Sequence, residues 1–162
     1  MHHHPLVAVA VLVLVSGAAD AVTCEARSAA AAPTIVELYT SEGCSSCPPA
    51  DRWLSRVKAD TPVVALAFHV NYWDRLGWPD RFASSEFTRR QAEQQAVNGA
   101  RVSYTPQVVV QGRDRPDWPG IALPMALSGT PLVDVVLAGD GRSFDATVQA
   151  RPGAPSRLAA FW

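Results

Sequence analysis

The feature that most narrows what this chain can fold into is an apolar, β-branched run, Thr34-Ile-Val-Glu-Leu-Tyr39, leading into Cys44-Ser-Ser-Cys47-Pro48-Pro49. The run reads as a buried strand, and the residues beyond the prolines carry helical spacing. Two of the chain's three cysteines therefore fall at a strand-to-helix turn. Two intervening residues let the sulfurs face each other, so a disulfide there can close and reopen without moving the backbone far. A C-x-x-C in that setting points to redox chemistry.

Such chemistry needs one thiolate to attack and a second thiol to resolve the mixed disulfide. Cys44, nearer the strand end, is expected to be the more exposed sulfur and the nucleophile, with Cys47 resolving. The double proline modifies the turn. Pro48 disfavours the α conformation at Cys47, and Pro49 does the same at Pro48. The helix is therefore expected to begin near Pro49, lowering the Cys44 pKa less than an unbroken helix would.

With 162 residues, 48% apolar and 18% charged, the chain suits one globular domain behind an exported leader. A domain of roughly 130–150 residues buries about 68% of its unfolded surface, so no disulfide scaffold is required. The net charge of -1 argues against nucleic acid or an anionic membrane as a partner held by charge. Leu6 to Val15 is an unbroken apolar run followed by small residues, too short to span a bilayer and matching a secretory h-region, although no Lys or Arg precedes it. Cleavage after Ala21, or within Ala29–Ala32, leaves no membrane span and a periplasmic or secreted protein, where disulfides persist. Cys24 then reads as a leader or linker residue.

Along the chain, residues 16–33 form an Ala-rich linker expected to be poorly ordered. Residues 50–59 place Trp53, Leu54 and Val57 on one helical face. Pro62 to Val70 is nearly all apolar, the pattern of a strand covered on both faces and parallel to the first. An aromatic loop, 71–79, follows, then a helix capped by Ser84 or Ser85 and closed by Asn98-Gly99. Its polar run from Arg89 to Gln95 reads as a solvated face. Val108 to Val110 is a strand turned by Gly112, and Thr105-Pro106 at its entrance suits a cis bond. Pro116, Pro119 and Pro124 interrupt the stretch from Arg113 to Gly129, leaving at most a short helix around residues 121–128. Leu132–Leu137 and Ser143–Val148 read as a hairpin.

The strand, C-x-x-C, helix, second strand and Thr105-Pro106 together resemble the thioredoxin-like superfamily. More closely, the chain resembles the DUF1223 family of exported bacterial proteins. The residues carrying that likeness are Val36 through Asp51, Ala67-Phe-His-Val-Asn-Tyr-Trp-Asp74, Leu76-Gly-Trp78, Phe87-Thr88 with Arg90-Gln91, and Tyr104-Thr-Pro-Gln107. The resemblance implies an α/β fold: a thioredoxin-like sheet with a parallel βαβ start and a cis-Pro strand, flanked by helices. Residues 1–32 are then leader and linker, 33–129 the thioredoxin-like domain, and 130–162 a β-rich extension that reads as cut short. It further implies that Thr105 and Pro106 face Cys44 and offer backbone to an incoming substrate chain.

Three readings of the cysteine pair stay open. One is reversible exchange with protein or small-molecule thiols and disulfides, an oxidoreductase activity needing no cofactor. The second is a structural disulfide in a non-catalytic domain. The third is a soft-metal site for Cu(I) built from Cys44, Cys47 and His69. His69 and Asp74 flank the carboxyl end of the second strand, where α/β sites lie, and with Trp73 they are the auxiliary candidates. A lone His on an apolar strand is as often a hydrogen-bonded core residue, Tyr72, Trp73 and Trp78 pack by default, and Glu42 reads as a solvated loop charge.

Overall fold

The computed structural model describes residues 24–57, 62–124 and 130–157. The apolar leader segment expected over residues 6–15, the last residues of the helix expected over 50–59, and Leu158–Trp162 lie outside the described residues. In chain order the elements are β1 (Cys24–Arg27), β2 (Thr34–Thr40), α1 (Pro48–Leu54), β3 (Val63–His69), α2 (Ser85–Val97), β4 (Gln107–Val110), β5 (Arg113–Asp114), β6 (Val133–Gly139) and β7 (Phe144–Ala150). Short 3-10 turns cover Asp74–Leu76 and Trp118–Gly120.

Among the described residues the strands form two sheets, and the protein is of mixed α/β class. The larger has the order β3-β2-β4-β5. β2 runs parallel to β3, Val36 opposite Ala65 and Leu38 opposite Ala67. On its other side β2 is antiparallel to β4, with Val36 opposite Val110 and Leu38 opposite Val108. Side chains alternate along each strand, so the two faces of the sheet build two cores. On one face Val36, Leu38, Val108 and Val110 pack with Ala50 and Trp53 of α1. Trp118 meets Trp53 edge-on, ring centroids 5.5 Å apart. On the other face Tyr39, Val70 and Val109 gather with Phe68, Tyr72 and Trp73.

The strand over residues 63–69 is present, but it is not covered on both faces as its apolar run predicts. β3 is the edge of the sheet, and Val64 and Leu66 are exposed. The seven residues of α1 pack on the cluster built by β2 and β4, which the first residue of β3, Val63, also touches. Composition alone does not separate an edge strand from a central one, because both satisfy the same apolar pattern.

α1 starts next to the expected Pro49 and does not run through the motif, although the backbone at Cys47 is helical. It begins at Pro48, and Cys47 is its N-cap residue with φ -76° and ψ -33°, in the α region that the following proline disfavours. The Cys47 carbonyl accepts from the N–H groups of Ala50 (2.9 Å) and Asp51 (3.1 Å). The two prolines occupy first-turn positions, where an N–H has no intrahelical partner anyway.

α2 matches its expected span, with the Ser84 side chain accepting from the Glu86 N–H at 3.2 Å. Its polar run is not simply a solvated face. Arg90 pairs with the buried Glu37 of β2 and lies over the Phe68 ring, while Gln91 is fully buried. β5 supplies a two-residue antiparallel partner for β4, where no partner strand is legible after Gly112. Of the stretch where at most a short helix fits, around 121–128, residues 121–124 follow the 3-10 turn without forming a helix and carry a cis Leu123–Pro124 bond; 125–129 lie outside the described residues.

The second sheet has the order β1-β6-β7, all antiparallel. β6 and β7 are the expected hairpin, closed by Asp140, whose carboxylate accepts from the N–H groups of Arg142 (2.9 Å) and Ser143 (2.8 Å). β1 lies within the segment predicted to be an unstructured linker. All four of its side chains are exposed, so its pairing rests on backbone hydrogen bonds and leaves no hydrophobic pattern in the sequence.

Candidate functional site

Past Thr40 the backbone folds through two tight turns: the Cys44 N–H donates to the Ser41 carbonyl (3.1 Å), and the Cys47 N–H to the Cys44 carbonyl (3.2 Å). Thr40 Oγ1 donates to Asp51 Oδ1 at 2.7 Å, tying the end of β2 to the first turns of α1 and framing the motif. Cys44 and Cys47 are joined by a disulfide with their Cα atoms 5.4 Å apart. Cys44 is not the exposed sulfur that the turn position suggests. It is 2% exposed and Cys47 0%. Ser45 and Ser46 between them are exposed.

The two sulfurs have different surroundings. Thr105 Oγ1 donates to Cys44 Sγ at 3.2 Å, and Ser46 Oγ lies 3.5 Å from the same sulfur. Trp73 Nε1 in turn donates to Thr105 Oγ1 at 2.9 Å. Thr105 precedes Pro106 through a cis peptide bond. Three of the sequence candidates, Cys44, Thr105 and Trp73, are thus in one chain of contacts with Pro106 adjoining it. Cys47 closes the disulfide.

The Tyr104–Pro106 loop is anchored from behind. Gln91 Nε2 donates to the Tyr104 carbonyl (2.7 Å) and to Gln107 Oε1 (2.9 Å). The Tyr104 hydroxyl donates to both carboxylate oxygens of Asp114, at 2.8 and 2.9 Å. Burial and the Asp114 carboxylate hold that phenol well above the ordinary tyrosine range. Burial also raises Tyr72, outweighing the opposing influence of Thr105 and Gln91 beside its hydroxyl. Sequence reasoning missed Gln91 and Tyr104 as site supports. The available signal was the spacing of Phe87, Arg90, Gln91 and Gln94, which is the stripe of an inward helical face even though most of it is polar.

His69 and Asp74 belong to a neighbouring network. His69 Nδ1 is 2.6 Å from Asp80 Oδ2, and Asp74 Oδ1 accepts from the Asp80 N–H at 3.1 Å. Asp80 Oδ2 also accepts from the Glu42 N–H at 2.8 Å, and Trp78 Nε1 donates to Glu42 Oε2 at 3.0 Å. Glu42 is therefore a tethered residue and not simply a solvated charge. Burial on its own raises the Asp80 pKa, and hydrogen bonds from the Glu42 N–H, His69 and the Phe82 N–H outweigh it, leaving the carboxyl below its usual range. Among the described residues no three His, Cys, Asp or Glu side chains gather as a metal site. His69 pairs with Asp80, so the set of Cys44, Cys47 and His69 is not assembled in this disulfide state.

A mixed α/β fold carrying a disulfide across a C-x-x-C at the end of its central strand defines the class of protein. The chain belongs to the DUF1223 family, described as proteins of unknown function, whose model matches residues 35–126. An X-ray structure of a protein from Agrobacterium tumefaciens is 47% identical over 53% of this chain and 39% of that one, with a TM-score of 0.49. This chain thus spans well under two thirds of that protein's length. No curated protein matches it. Among the described residues no helix is long and apolar enough to cross a membrane.

Proposed function

We propose that this is an exported thioredoxin-like protein that exchanges thiols and disulfides through Cys44 and Cys47, with Thr105 and Pro106 as the edge that receives a protein or small-molecule partner. The observation that carries the reading is the inequality of the two sulfurs. Cys44 Sγ has the Thr105 hydroxyl directed at it, which would favour a thiolate there, while Ser46 Oγ, 3.5 Å from the same sulfur, donates to the Thr105 carbonyl at 3.4 Å. The apolar run Leu6–Val15 and the disulfide itself support an oxidising compartment, periplasmic or secreted.

In the reduced protein the Cys44 thiolate attacks one sulfur of a partner disulfide. The Cys44–partner bond forms, the partner's S–S bond breaks, and the released thiolate takes up a proton. The Cys47 thiol, on losing its proton, attacks Cys44 Sγ, restoring the internal disulfide and releasing the partner's second sulfur as a thiol. The reverse sequence reduces Cys44–Cys47. Because Cys44 is 2% exposed, access for a partner requires Thr105 and the Ser45-Ser46 turn to give way.

That burial is also the observation that favours a second reading, a static cross-link. The two are separated by equilibrating the protein against glutathione buffers and probing Cys47→Ser for trapped mixed disulfides. Exchange predicts a measurable potential within the glutathione range and a Cys44-linked adduct in Cys47→Ser that is absent from Cys44→Ser. Finding neither, with the disulfide intact at strongly reducing potentials, overturns exchange in favour of the cross-link.

A further inference from the structure

We propose that Trp73 is a positioning residue for Cys44: its indole N–H fixes the rotor of the Thr105 hydroxyl so that the hydroxyl proton points at Cys44 Sγ. The inference rests on the reading that Cys44 works as a thiolate, and it adds the group that sets that thiolate's environment.

Donor chemistry alone fixes where the hydroxyl proton lies. An indole nitrogen can only donate, and a threonine hydroxyl has one proton to give and lone pairs to receive. With Trp73 Nε1 at 2.9 Å, Thr105 Oγ1 must act as acceptor towards the indole, and its own proton is left for another partner. That partner is Cys44 Sγ, at 3.2 Å. Remove the indole N–H and the hydroxyl is released to turn elsewhere. The accepted N–H also polarises the O–H and strengthens what it donates. A disulfide sulfur is a weak acceptor and a thiolate a strong one, so the device acts mainly on the reduced protein.

The base of the Trp73 side chain lies close to the motif itself. A Cβ added to Gly43, the residue before Cys44, would meet Trp73 Cβ at 3.2 Å. Trp73 also packs with Tyr72, ring centroids 6.1 Å apart, in the core beneath Tyr39 and Val109. The loop after β3 and the turn after β2 therefore meet at Gly43 and Trp73, and Thr105 closes the third side.

The test follows alkylation of Cys44 by iodoacetamide against pH, with Cys24→Ser and Cys47→Ser so that Cys44 is the one thiol. In that background Trp73→Phe and Thr105→Val should each slow alkylation near neutral pH by about fivefold, the equivalent of one hydrogen bond, and move the pH midpoint upward. Thr105→Ser should keep the original rate. The double variant should be no slower than Thr105→Val alone, because the indole acts only through the hydroxyl. If Trp73→Phe does not fold, benzothienylalanine at position 73 keeps the ring system and removes only the N–H. An unchanged midpoint in either Trp73 variant, or additive effects in the double, overturns the proposal. The measurement does not depend on turnover, so a shifted midpoint in a protein that exchanges with no partner would sustain the positioning role while refuting exchange.

Discussion

Asp80 Oδ2 accepts a hydrogen bond from the backbone N–H of Glu42 at 2.8 Å, so a carboxylate far along the chain holds the turn two residues before Cys44. The same carboxylate takes the Phe82 N–H at 2.9 Å and sits 2.6 Å from His69 Nδ1, with its side chain fully buried. Asp80→Ala leaves two backbone donors without that acceptor and is expected to cost about 2–4 kcal/mol. Urea unfolding measures it. A cost below about 0.5 kcal/mol would show that the tether contributes nothing.

The same group sets an acid dependence. Its folded pKa is depressed, so its contribution is fully present above the ordinary aspartate value of about 4 and is lost as pH falls from there through the lower folded value. Urea midpoints of the parent protein should therefore fall as pH drops below about 4, and Asp80→Asn should flatten that part of the curve. Parallel curves for the two proteins would assign the acid loss to other carboxylates.

Gln91 offers a test of the support behind the Tyr104–Pro106 loop. Gln91→Leu keeps much of the volume but leaves the Tyr104 carbonyl and Gln107 Oε1 without their shared donor. A loss of about 1–3 kcal/mol is expected, the usual cost of a stranded buried acceptor. The urea m-value should be unchanged, since the surface exposed on unfolding is the same. A neutral substitution would mean that the loop is held by the Tyr104–Asp114 pair alone.

What was legible in the sequence and what was not divides by physical origin. β2, α2 and the β6–β7 hairpin announce themselves through apolar period, a serine cap and turn residues, all of which are local. The Cys44–Cys47 pair is equally local, since spacing alone brings the sulfurs together. The edge position of β3 was hidden because burial depends on what packs on a strand, and the short α1 is a tertiary outcome. Asp80 and Gln91 were hidden for a related reason. Each is a polar residue whose partners, Glu42 and Tyr104, are brought to it only by the fold, and hydropathy patterns treat such residues as solvated. Trp73 was placed among the candidates, but its link to Thr105 spans 32 residues and has no sequence signature.

All three tyrosines are shifted upward, which yields an alkaline prediction. Burial is the main cause at Tyr39, joined by Glu37; burial acts at Tyr72; and burial together with Asp114 acts at Tyr104. A raised folded pKa means that stability is fully present below the unfolded value of about 10 and is lost as pH climbs above it. In an ultraviolet titration the native protein should show little tyrosinate near pH 10, followed by ionisation that coincides with loss of structure. A full phenolate signal at pH 10 with the fold intact would contradict the burial of these rings.

The disulfide joins residues only three apart in sequence. In the chain-entropy account a loop that short removes about 2 kcal/mol of unfolded-state freedom, against about 3 kcal/mol for a loop of fifteen residues. Reduction should therefore lower stability by about 2 kcal/mol and leave unfolding cooperative, because the core of Val36, Leu38, Val108 and Val110 does not depend on the bond. Urea unfolding of the oxidised protein and of protein held reduced by a phosphine decides it. A small loss fits a bond that the protein can open during function without unfolding, whereas a loss beyond about 4 kcal/mol would identify a staple and favour the static cross-link.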